Sequence, residues 1–121
     1  MSDLRPKSIK IKLGGVEYGL RFSLNAIDEI QDHFDKSILD LGDIMKDERK
    51  HFKNTAYILS VLINEEIDFQ NETLSEKLPH IDEVFIGRRI TLSNYRTATG
   101  KVFESFGASA SEDESDPQTG E

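Results

Sequence analysis

The side chains that could carry chemistry are few and scattered. His33, His51 and His80 stand alone, and no two of them fall at the HxxxH or HExxH spacing that sets two imidazoles on one helix face for zinc. Asp28 and Asp32 lie one helical turn apart and could share a cation. No third ligand and no Gly-rich calcium loop accompanies them, so a solvated helix face is the expectation. Gly14-Gly15 is not followed by a helix carrying a Lys-Ser/Thr signature, which makes it a turn and not a phosphate cradle. There is no nucleophile elbow and no acid/base pair with a rationale in the sequence. Catalytic residues, metal ligands and cofactors are therefore not expected. Asn71, Glu72 and Thr73 match a glycosylation acceptor, but Thr73 is better explained as a helix cap.

Composition narrows the partners. The 121 residues suffice for one domain, which at this size buries roughly two thirds of its unfolded surface without staples. There is no cysteine, hence no disulfide framework and no thiolate metal site. No apolar segment follows the first five residues, so a secretory signal is not expected and the reading is intracellular. The net charge is −8, and residues 107–121 carry five acidic side chains and no Lys or Arg. An acidic chain repels phosphate backbones, and the Arg88-Arg89 doublet supplies too few contacts to offset that. Nucleic acid is not an expected partner.

The elements that must position any site are organised round residues 48–66. Apolar or small residues at 52, 56, 59 and 63, and again at 55, 58 and 62, fill two adjacent rows of a helix. A helix apolar over that much of its circumference is touched by neighbours on more than one side. It is too short in apolar residues, and too charged at both ends, to span a membrane.

Ahead of it, residues 7–22 predict a β-hairpin. Ile9, Ile11 and Leu13 alternate with lysines, Gly14-Gly15 supplies a two-residue turn, and Val16, Tyr18, Leu20 and Phe22 alternate again. The register sets Leu13 opposite Val16, Ile11 opposite Tyr18 and Ile9 opposite Leu20. Lys12 then faces Glu17 on the other side. Ser23 caps a helix over about 24–35, Ser37 opens a short one over 38–46, and Asp47 caps the central helix.

After a loop at 67–72, Thr73 to Glu76 form a capping box for a short helix over 74–78, with a break at Pro79. A main helix over 88–106 follows, and Gly107 ends it. Residues 107–121 have no large apolar residue and predict a disordered acidic tail. The expected fold is α+β and mainly α. A two-stranded antiparallel hairpin leads a compact bundle of about five helices, in one domain over 1–106.

The order of parts resembles a known family. A hairpin passing through Leu20-Arg21-Phe22-Ser23 leads into an amphipathic helix ending Asp32-His33-Phe34. A short helix containing Leu39-Asp40-Leu41-Gly42-Asp43-Ile44-Met45 precedes the central one. Over residues 8–106 this is similar to the tail assembly chaperones of long-tailed bacteriophages, in the small type found in phages and prophages of Gram-positive bacteria. The resemblance implies a non-enzymatic job: binding the tape-measure protein and keeping it soluble before the tail tube polymerises round it. The tail-tube protein and a second copy are further implied partners. The implied location is the host cytoplasm, with the chaperone absent from the mature virion.

Such a chaperone needs an apolar surface that can be covered and uncovered. Tyr95, Val102, Phe103 and Phe106, at the last turns before Gly107, are the candidate stripe for contacting a client or another copy. The same residues would alternatively dock on the central helix. A different class of function is an acidic adaptor that grips a basic protein through residues 112–121.

Overall fold

The computed structural model describes residues 9–115, and the side chains of residues 9–110. The hairpin forms in the expected register. Strands β1 (Ile9–Leu13) and β2 (Val16–Leu20) pair Leu13 with Val16, Ile11 with Tyr18, Ile9 with Leu20 and Lys12 with Glu17. Gly14 and Gly15 both adopt positive φ, 59° and 85°, as the two-residue turn demands. Residues 7 and 8 of the expected hairpin lie outside the described residues, and residues 21–22 leave the pairing.

Five helices follow: α1 (Leu24–Phe34), α2 (Leu41–Met45), α3 (His51–Asn71), α4 (Glu83–Arg89) and α5 (Tyr95–Ser115). Ser23 caps α1 by accepting from the Ala26 amide at 3.1 Å, and its hydroxyl donates to Glu65 at 2.6 Å. Asp35, in the left-handed region at φ 55°, closes the helix. The expected single helix over 38–46 is instead a 3₁₀ turn at Ile38–Asp40, capped by Ser37, that runs into α2.

The central helix is the hub of the fold. β2, α1, α2, α4 and α5 all pack on α3. Ile58, Leu59, Leu62 and Ile63 have no exposed surface, and Thr55 and Ser60 are buried beside them. Each fully buried aliphatic side chain of this kind contributes about 1.5–3 kcal/mol. The hairpin reaches the helix at close range. The Arg21 amide donates to the Leu62 carbonyl at 3.1 Å, and a Cβ at Gly19 would come within 3.0 Å of the Glu66 side chain. Arg21 also pairs with Glu66 at 2.8 Å and lies over the Phe69 ring.

Several segments differ from the sequence reading, each because of a contact the folded chain makes. The central helix begins at His51 because the Asp47 carboxylate caps the turn before it, accepting from Arg49 and Lys50 at 3.1 and 3.0 Å. Those bonds hold the Asp47 carboxyl below its usual range. It runs on to Asn71 because Ile67 is buried and Arg21 covers Phe69.

The expected helix over 74–78 does not form, because side chains of α3 bind the chain at Leu78 and Ile81. Asn71 donates to the Leu78 carbonyl and accepts from its amide, and Asn64 does the same to Ile81. His80 meets Asp68 between them at 2.7 Å. Asn64, Asp68 and Asn71 share one face of α3, so they read the loop as a neighbouring strand would. Thr73 donates to Gln70 rather than capping anything downstream.

The expected helix over 88–106 is two helices. Asp82 caps α4, Ile90 is extended, and the Asn94 side chain accepts from Thr91 and donates to the Arg89 carbonyl. That closes a turn from which α5 starts. Finally, α5 passes Gly107 and continues to Ser115, where disorder was expected. Ser109 ties it down by donating to the Phe22 carbonyl at 2.8 Å. Residues 116–121 of the expected tail lie outside the described residues.

Candidate partner-binding surface

The candidate stripe on α5 turns mostly inward. Val102 is fully covered, packed in the core, and so is unavailable to any partner. Phe106 is half-buried against Phe22, with ring centroids 5.2 Å apart. Tyr95 is half-buried: its hydroxyl shares a hydrogen bond with Thr55 at 3.1 Å, and its ring meets Phe52 edge-on at 4.7 Å. Phe103 alone of the four is well exposed, at 41 %. Helix α5 packs on both β1 and α3, with Phe106 on Phe22 and Tyr95 on Thr55. The stripe therefore serves chiefly to dock the helix.

The histidines also find structural partners. His33 stacks on Tyr57 at 3.7 Å, His51 lies against Phe52 and Tyr95, and His80 pairs with Asp68. Asp28 and Asp32 are exposed. Among the described residues no group of three His, Asp or Glu side chains is placed to hold a metal ion. No described helix is long and apolar enough to cross a membrane. Burial, and then the Glu29 carboxylate 3.5 Å away, push the Tyr57 hydroxyl up to about 12.

An open apolar surface lies at the other end of the aromatic cluster. The first turns of α3, Gly87 of α4 and the 90–95 connection enclose a groove of about 190 Å³. Phe52 and Leu92 stand at its edges, 50 % and 82 % exposed, and Ile90, Ala56 and Tyr95 form its wall. Gly87 leaves the floor open, since a Cβ there would meet no atom within 4 Å. On the far side of Ile90 a second concavity, about 270 Å³, runs between β1 and α5. Lys10, Lys12 and Lys101 line it together with Glu17.

Tyr95 is thus the one residue of the expected stripe that borders this groove. Phe52, Leu92 and Gly87 were missed, because the groove joins three segments far apart in sequence. The one signal available was Leu92, a large apolar residue flanked by Thr91 and Ser93 in a stretch otherwise read as helix. No protein-family model, curated protein or solved structure matches this chain.

Proposed function

We propose that this chain is a non-enzymatic chaperone of the phage tail-assembly type, which binds the tape-measure protein and keeps it soluble in the host cytoplasm until the tail tube encloses it. The observation that carries the reading is the combination of a closed helical domain with an open apolar groove edged by Phe52 and Leu92. Large apolar side chains left exposed beside a concave apolar wall are what a protein-binding surface requires. The order of hairpin, amphipathic helix, short helix and central helix supports the same reading, since it is the order that the resemblance rests on.

The test is to find whether a large, helix-rich open reading frame lies just downstream of this one and to co-express its product with this chain. Under the proposal the larger product moves from the pellet to the soluble fraction and co-purifies with this chain. If it stays insoluble, or is equally soluble alone, the proposal fails.

A further inference from the structure

We infer that the groove takes an acidic amphipathic helix: one whose Leu, Ile, Met or Phe side chains enter between Phe52 and Leu92 while Asp and Glu side chains flank them. This rests on the reading of the chain as a protein-binding chaperone and goes beyond it by naming the chemistry of the bound segment.

The argument is the placement of charge. Residues 49–64 and 84–103, which between them supply every lining residue of the groove, carry seven of the fifteen Lys and Arg and none of the 23 Asp and Glu. All the negative charge of a −8 chain lies elsewhere. Lys53, Arg88 and Arg96 adjoin the lining residues Phe52, Gly87 and Tyr95 in sequence, and all three are exposed. Arg89 is the exception, laid over the Phe85 ring at 3.7 Å and donating to the Phe85 carbonyl. Beyond Ile90 the surface continues through Lys10, Lys12 and Lys101, with Glu17 as its acidic lining residue. Glu48, Glu83 and Glu104 bound these two stretches, but the exposed charges next in sequence to the lining residues are cations, which disfavours a basic helix and favours an acidic one.

The chain's own acidic end does not fit the slot. Helix α5 starts at the groove and its 21 residues carry Ser115 roughly 30 Å away. Residues 116–121 contain no large apolar side chain to enter it. A second copy could offer its acidic end in trans, and that is an outcome of the test.

The experiment uses two synthetic amphipathic peptides of about 18 residues with the same Leu/Phe face, one flanked by Glu and one by Lys. Binding to the full chain is read by fluorescence anisotropy. The Glu-flanked peptide binds at least about tenfold more tightly, and its affinity falls as salt rises. Gly87→Leu, at a lining glycine where a Cβ meets no atom within 4 Å, and Leu92→Ser, at an exposed site, each weaken it about tenfold with circular dichroism unchanged. Lys53→Glu with Arg96→Glu reverses the preference between the two peptides.

Equal binding of both peptides, or binding indifferent to Gly87→Leu and Leu92→Ser, overturns the inference. So does an oligonucleotide that outcompetes the acidic peptide. So does a wild-type oligomer that truncation after Ala110 converts to monomer while opening the groove. Each of these leaves the co-expression result standing, whereas failure of co-expression alone would remove the client and not the groove's preference.

Discussion

The hydroxyl of Tyr95 lies 3.1 Å from Oγ1 of Thr55, a side chain 1 % exposed at the start of the central helix. This bond pins the first turn of α5 to α3 and fixes the wall of the groove. Tyr95→Phe leaves the Thr55 hydroxyl without that partner and is expected to lower stability by about 1 kcal/mol. Thr55→Val in the same background should recover part of the loss, because it removes the orphaned hydroxyl. Chemical denaturation of the two single variants and the double variant measures the coupling.

Helix α5 separates docking residues from free ones. Phe106→Ser, at the ring packed on Phe22, is expected to cost about 2 kcal/mol, and Phe103→Ser under about 1 kcal/mol. If Phe103→Ser is the more damaging of the two in denaturant titrations, the orientation of α5 is wrong.

The 72–82 loop depends on the two asparagines of α3. Asn71→Ala removes both bonds to Leu78, and Asn64→Ala both bonds to Ile81. Each is expected to cost about 1–2 kcal/mol. Amide exchange at the released residue, Leu78 or Ile81, should accelerate in each variant. Thr73→Ala should change stability by less than about 0.5 kcal/mol, since Thr73 caps no helix.

Alkaline pH tests the Tyr57 environment. Its hydroxyl ionises near 12 in the folded chain against 10.0 for a free tyrosine, first because burial disfavours the phenolate and then because Glu29 faces it. A raised folded value means the stabilisation is whole below pH 10 and is lost as pH climbs from 10 through about 12. Phenolate absorbance should show one tyrosine titrating late, and Glu29→Gln should bring that titration earlier.

The hairpin and the central helix were legible because their patterns are local. Alternation about Gly14-Gly15 leaves one register that buries Ile9, Ile11 and Leu13, and two filled rows on residues 52–63 admit no other shape. The misread segments were decided by distant partners. Thr73 and Glu76 spell a capping box, yet Asn71 captures Leu78 first. Residues 107–115 are polar, yet Ser109 finds the Phe22 carbonyl 87 residues away. The break before α5 did leave a trace, since Asn94 immediately ahead of Tyr95 is a residue type favoured at helix starts, although its side chain bonds Thr91 and Arg89. The groove left almost none, because its walls come from residues 52–56, 87 and 90–95 and only folding brings them together.

The soluble fraction of the neighbouring helix-rich product, co-expressed with wild-type chain or with Gly87→Leu, tests the central claim most directly. The account predicts a soluble complex with wild type and an insoluble client with Gly87→Leu, while the variant chain itself stays folded and soluble. A client that is insoluble with both chains, or soluble with both, would contradict it.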